Sequence, residues 1–376
     1  MKKFAFLLVL AIAAGACSKH PAGKSSPSTS SSATPVTGHF SDSELQAFAA
    51  LEPIDTHTHV FQSDPAFYAM LQKLHMHILD ICVDNDHSKV ERDLPAEIKD
   101  ALEVVHASDG DAALCTTFDP YKYRDRGFAP AAIRQINHNF DEGAIAVKIW
   151  KNIGMEIKDA KGNYILPNDP VFEPIYKDIA AHHKTLVAHV ADPNTSWEPP
   201  NPRSPDYSYY KEHPEWYMYK KPLPASKEEI LRARDRLLEQ NPDLRVVGAH
   251  LGSMEADFNQ LAQHLDRYSN FAVDIAGRVP YLMMQPRAGM IAFITQYQDR
   301  LLYATDLDFP PGADAQATVK DWENHYARDW RFFATKDALE YQGRKVQGLD
   351  LPQDVLRKLY HDNAVHWFPG ILGGSH

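Results

Sequence analysis

Eight short runs of branched and apolar residues recur along this chain, each followed by a stretch of helical pattern, at residues 53–60, 77–83, 112–118, 145–150, 185–190, 245–251, 271–275 and 301–305. Runs of this length are too short for core helices, and their alternation with helical segments is the pattern of a parallel sheet whose crossovers are helices. Eight such units are the number that closes a (β/α)8, or TIM, barrel. A chain of 376 residues with 44% hydrophobic and 24% charged residues has the length and apolar content for one such α/β domain, expected over residues 44–376. One helix start is legible in detail: Ser226 followed by Glu229 forms a capping box ahead of a helix over 227–240. No segment of about 20 to 50 residues repeats, which argues against solenoids and propellers.

The amino terminus carries a different message. Lys2 and Lys3 precede an apolar run from Phe4 to Ala14, then small residues and Cys17. This is the pattern of a signal peptide over residues 1–16, because a stable membrane span needs roughly 20 apolar residues. Ala14-Gly15-Ala16-Cys17 resembles a bacterial lipobox, with Ala14 where leucine is usual. The resemblance implies lipidation of Cys17 and an exported protein, periplasmic or anchored to the outer membrane; plain signal cleavage is the alternative. Residues 17–43 are rich in Ser, Thr, Pro and Gly, and so are expected to form a disordered tether. The formal charge is −11, with no basic stripe interleaved with aromatics, which speaks against nucleic acid as a partner. Three cysteines without C-x-x-C spacing exclude a disulfide framework and a thiolate zinc site. Cys82 and Cys115 fall inside the second and third expected strands and read as buried thiols. Any metal must therefore rest on histidine and carboxylate.

Asp55-Thr56-His57-Thr58-His59 is the strongest chemical signal. Residues two apart on a strand point to the same face, so His57 and His59 can grip one ion. The pair ends the first strand, at the end of a barrel where catalytic groups collect. His189, His250 and Asp306 follow apolar residues at the ends of the fifth, sixth and eighth runs. Four histidines and an aspartate at one end of one barrel form a constellation rather than a scatter.

With those residues in place the chain, over roughly 52–369, resembles the amidohydrolase superfamily, in particular the amidohydrolase-2 branch related to aminocarboxymuconate semialdehyde decarboxylase. Tyr297-Gln298-Asp299-Arg300 ahead of Thr305-Asp306 and His361-Asp362-Asn363-Ala364 in the last helix add to the pattern. The resemblance implies that His57, His59, His189 and Asp306 hold one divalent metal, zinc by default, that Asp306 accepts the proton of the activated water, and that His250 polarises a substrate carbonyl. Lys148, at the end of the fourth strand, carries three readings: a carboxylated bridge between two ions, a partner for a substrate carboxylate, or a structural lysine; one ion is expected and two is the alternative. Arg278 reads either as a clamp for a substrate carboxylate or as a salt-bridge partner of an aspartate such as Asp274. Trp150, Asp192, Trp197 and Trp216 are candidate pocket walls. The connection 191–226 holds eight prolines and seven aromatics, and reads as a lid over the site or as a self-packed surface loop.

The function expected is hydrolysis of a C–N or C–O bond of a small molecule, an amide, ester or lactone. The alternative is metal-assisted decarboxylation of an aromatic or unsaturated acid, and export favours the first. A binding protein that has lost its chemistry is a third reading, opposed by a polar cluster inside a packed barrel mouth. Family analogy points to a dimer.

Overall fold

The computed structural model describes residues 38–84, 94–222, 225–341 and 344–373, all within one compact unit, Val36–His376. The expected signal peptide, Cys17 and the tether up to residue 37 lie outside the described residues. The described chain begins within the last residues assigned to the tether. Ser41 caps the helix Asp42–Ala49 with a capping box, and the Glu44 carboxylate of that box accepts from Arg331 Nε at 2.6 Å. The resulting bonds bind the chain's entry to the helix Ala315–Ala334.

Nine strands make one all-parallel sheet: β1 (Ile54–Val60), β2 (His77–Ile81), β3 (Ala112–Thr117), β4 (Ala146–Ile149), β5 (Thr185–Ala188), β6 (Arg245–Gly248), β7 (Phe271–Asp274), β8 (Leu301–Leu302) and β9 (Leu307–Phe309). Their order is β8-β7-β6-β5-β4-β3-β2-β1-β9, so the two edge strands are neighbours in sequence. The residues between them also border β1: Thr56 N donates to Tyr303 O at 3.0 Å and Asp306 N to His57 O at 2.9 Å. The sheet therefore curls round, consistent with a (β/α)8 barrel. The expected eighth strand over 301–305 is shorter, Leu301–Leu302, and Asp306 then takes a left-handed φ of 68°, which redirects the chain before the further strand β9.

Burial on both faces explains why these strands read as apolar runs rather than alternating ones. Ile54, Val187, Val247 and Leu302 pack together inside the sheet with Trp367 and Phe368 from the end of the chain. Thr185, the first residue of β5, donates its hydroxyl to Trp367 O, which fixes that plug at the amino end of the strands. Only the carboxyl end is left for chemistry. Cys82 and Cys115 are buried, as expected, and burial pushes the Cys115 thiol up, which makes it a poor nucleophile. The capping box of Ser226 and Glu229 opens the helix Lys227–Gln240, also as expected.

The sixth strand ends earlier than its apolar run. β6 stops at Gly248, and His250, Leu251, Gly252 and Ser253 all take left-handed φ values of 58°, 57°, 60° and 62°. Such a turn costs about 1 kcal/mol or more at each non-glycine position and persists because the surroundings hold it. The hydrogen bond from His250 N to Asp274 Oδ1, 2.7 Å, is one restraint. Close approach is another: a Cβ on Gly248 would stand 2.7 Å from Phe271 Cζ and 2.8 Å from Gly252 Cα. Gly248→Ala is therefore expected to destabilise the fold by about 1–3 kcal/mol, read as a lower urea midpoint at unchanged slope.

Candidate metal centre

β1 delivers His57 and His59 to the carboxyl end of the sheet with ring centroids 5.4 Å apart. Each ring is held by its Nδ1, His57 to Asp274 Oδ2 at 2.9 Å and His59 to Ile81 O at 2.7 Å. A carboxylate or carbonyl oxygen only accepts, so the ring protons sit on Nδ1 and both Nε2 atoms present lone pairs. Asp306 Oδ1 lies 3.5 Å from each of those Nε2 atoms. One ligand atom from each of these three residues can be chosen so that all lie within 4.8 Å of one another.

His189 joins from the end of β5, its N donating to Ile149 O at 3.1 Å. Its ring is buried, and Nε2 makes no hydrogen bond among the described residues. The His189 ring stands 4.3 Å from that of His250, which is 4.9 Å from that of His57. All four expected histidines and Asp306 thus converge at one end of the sheet. The nitrogen and oxygen donors, the fixed Nδ1 atoms and the orphaned Nε2 of His189 fit a divalent cation.

Electrostatics agree with that donor set. Burial pushes His189 and His250 well below the usual histidine range, which keeps both rings neutral. Burial lifts the Asp306 carboxyl, but the imidazoles of His250, His59 and His57 packed round it outweigh that and hold Asp306 well below the usual carboxylate range. Ligands in their deprotonated forms are what metal binding requires. Lys148 is fully buried with Nζ 3.0 Å from His57 Nε2, so it points into the centre and does not reach solvent.

Two residues at the site carry roles that sequence reading does not reveal. The sequence offers Asp274 only as a partner for Arg278; in the structure it orients the His57 ring with Oδ2 and holds His250 N and Ala276 N with Oδ1, at 2.7 and 3.1 Å. Asp55 staples β1 to the segment that bears Asp306, accepting from Thr305 N at 3.1 Å, Thr305 Oγ1 at 2.6 Å and Tyr326 Oη at 3.1 Å. Burial dominates there and raises Asp55 to about 7 despite those bonds. The only signal that marks Asp274 in the sequence is its place at the end of β7, the position its partners hold on β1, β5 and β6. Asp274→Asn is expected to weaken metal binding about 10- to 100-fold, measured by chelator competition, because the ring it fixes loses orientation and basicity.

The reading of Arg278 as the salt-bridge partner of an aspartate is not met among the described residues. Arg278 Nη1 donates to the neighbouring Gly277 O at 3.1 Å, and its Nε is buried without a hydrogen bond among the described residues. A Cβ placed on Gly277 would lie 3.7 Å from Asp306 Oδ2, so this arginine begins beside the centre. The connection after β5 packs on itself and also meets the carboxyl end of the sheet. Trp197 Nε1 donates to Ala225 O at 2.9 Å and Ser196 Oγ to Trp216 O at 2.7 Å, which is internal packing. Trp216 meanwhile packs edge-on against Trp150 at the end of β4, 4.8 Å between centroids, and Asp192 lies buried beside His189.

The amidohydrolase family profile matches residues 54–370. No curated protein matches the sequence. Among solved structures, the chain is similar to an uncharacterized TIM-barrel protein from Bordetella bronchiseptica, at 14% identity and TM-score 0.50 over 85% of this chain and 99% of that one. It is similar to 2,6-dihydroxybenzoate decarboxylase from Rhizobium at 12% identity and TM-score 0.50, over 84% of this chain and 98% of that one. A dihydroxybenzoic acid decarboxylase from Polaromonas, solved with manganese and 2-nitroresorcinol, gives 11% identity and TM-score 0.51 over 85% of this chain and 97% of that one. At such identities the likeness is one of fold. The profile match spans most of the sequence and includes every residue of the centre, and by it this chain belongs to the amidohydrolase family.

Proposed function

We propose that this chain is a metal-dependent hydrolase that attacks a C–N or C–O bond of a small molecule, an amide, ester or lactone. The observation that carries the reading is Asp306, a carboxylate kept ionised by its neighbours, open at the mouth with 37% of its side chain exposed, and 3.5 Å from the Nε2 atoms of His57 and His59. His57, His59, His189 and Asp306 hold one divalent ion, zinc by the preference of such donors, although manganese suits a similar set. Such an ion would supply a Lewis acid that lowers the pKa of water toward neutrality.

The chain's own residues do the rest. Asp306 accepts the water's proton and passes it to the leaving group. His250 donates its Nδ1 proton to Ala276 O at 2.8 Å, so the neutral ring offers the substrate a lone pair and becomes a donor to a developing oxyanion only after taking up a proton. That makes it a second acceptor that turns electrophilic as the reaction proceeds. Lys148 places a cation within the cluster; a bridged pair of ions through a carboxylated Lys148 is the alternative, and the count of ions per chain separates the two.

Arg278 favours a second reading, decarboxylation of an aromatic acid, because a guanidinium without a carboxylate partner among the described residues, beginning beside Asp306, suits a substrate carboxylate. Incubating the metal-loaded protein with a panel of amides, esters and lactones and, separately, with 2,6-dihydroxybenzoate tests both. Hydrolysis products support the first reading, carbon dioxide release the second, and neither from metal-loaded protein overturns both. Arg278→Gln is expected to lower kcat/KM about 10- to 100-fold for substrates bearing a carboxylate and to leave uncharged ones unchanged. Export through residues 1–16 and anchoring through a lipidated Cys17 belong to the same proposal, and the mass of the mature amino-terminal peptide reads them.

A further inference from the structure

Lys151 follows Trp150 just past the end of β4, and nothing in the proposed chemistry uses it. It is 2% exposed, yet its ammonium is fully engaged: Asp192 Oδ1 accepts at 2.8 Å, Asp192 Oδ2 at 3.0 Å and Tyr209 Oη at 2.6 Å. The rings of Trp216, Tyr209 and Trp150 surround Nζ at 4.5, 4.8 and 5.4 Å from their centroids. A buried charge is tolerated only with this degree of pairing and hydrogen bonding.

The partners belong to different parts of the molecule. Tyr209 lies on the helix Tyr207–Glu212 and Trp216 on the turn after it, both inside the long connection that follows β5. Asp192 starts that connection, and its Oδ1 stands 3.4 Å from His189 Nε2, the nitrogen without a hydrogen bond. A carboxylate gripped by an ammonium through both oxygens is a poor ligand. Freed, the same buried anion beside His189 has one favourable course, which is to turn toward a cation held there.

We propose that Lys151 is a positioning residue of the centre: it clamps the connection over the site through Tyr209 and withholds Asp192 from the ion, so that wall and ligand set are adjusted together. This rests on the metal reading above. Lys151 decides both how open the site is and how many carboxylates reach the ion.

Two measurements on the full chain test it. Chymotryptic cleavage of the metal-free protein within 207–219 reads the clamp, and the visible absorption of the cobalt-loaded protein reads the ligand set, since added ligands weaken the bands of a four-coordinate ion. Lys151→Met is expected to be cleaved about ten times faster, as local opening is relieved of one charged anchor, and to show weakened cobalt bands. Adding Asp192→Asn to Lys151→Met should restore the bands and leave cleavage fast, while Lys151→Arg stays near the parent in both. Tyr209→Phe, which removes only the bond to the connection, should speed cleavage with the bands unchanged, and it keeps the test open if Lys151→Met fails to fold. Unchanged cleavage in Lys151→Met overturns the clamp. Fast cleavage with unchanged bands overturns the withholding of Asp192. A parent that takes up no cobalt overturns the metal reading and the ligand-set half with it, while the cleavage rates decide the clamp on their own.

Discussion

The His57→Ala variant is expected to purify without its metal. The parent should hold about one divalent ion per chain and the variant less than about a tenth of that, by elemental analysis after gentle dialysis. The effect is large because the His57 ring is oriented before any ion arrives. Asp274 Oδ2 holds Nδ1 at 2.9 Å, so no orientational freedom is lost when Nε2 binds. Removing the ring also strips Asp274 Oδ2 and Lys148 Nζ of their shared partner in a buried site, each at a cost of about 1–3 kcal/mol, so the thermal midpoint should fall as well. His182→Ala, at a ring with 42% of its side chain exposed, serves as the control and should keep the parent's content. Two ions in the parent would assign Lys148 to a bridge. Equal metal in parent and His57→Ala would place the ion elsewhere and end the proposed mechanism.

Asp306→Asn should leave a folded protein with kcat lowered about 10²- to 10⁴-fold on whichever substrate the screen identifies, and KM little changed. Asparagine keeps the shape and one oxygen of the aspartate, so the neighbours at 3.5 Å stay supplied, but an amide takes no proton. The pH dependence follows from the same residue. With its carboxyl held well below the ordinary range, Asp306 remains ionised as pH falls through about 4, where a free aspartate would already be protonated. The acid limb of the parent's profile should therefore sit above that region and report His59, which burial lowers but Asp306 raises on balance and which must be neutral to bind the ion. An acid limb centred on the ordinary aspartate value, lost in Asp306→Asn, would show that the neighbours do not depress its pKa.

What the sequence makes legible is local. The period of two on β1 puts His57 and His59 on one face, the spacing of Ser226 and Glu229 marks a helix start, and apolar runs ending in His189, His250 and Asp306 mark strand ends pointing one way. These features need only near neighbours in the chain, and sequence displays them directly. The end of the eighth strand at Leu302, the turn at Asp306 and the left-handed turn through Ser253 are not legible, because a run of apolar residues says that a segment is buried and is silent on where its backbone turns.

The working parts of the centre depend on distance along the chain. The bond from His57 to Asp274 spans 217 residues, that from Thr305 to Asp55 spans 250, and Lys151 meets Tyr209 across 58. Periodicity carries no information about such pairs, since each forms only when the curled sheet brings strand ends together. Residue types and their alternation were enough for the layers of the fold and the identity of the candidate ligands. Which nitrogen each histidine presents, which aspartate orients a ring and which one faces the two Nε2 atoms, and what a buried lysine holds in place were decided by packing at the carboxyl end of the sheet, because a hydrogen bond is set by a distance of about 3 Å that no linear spacing encodes.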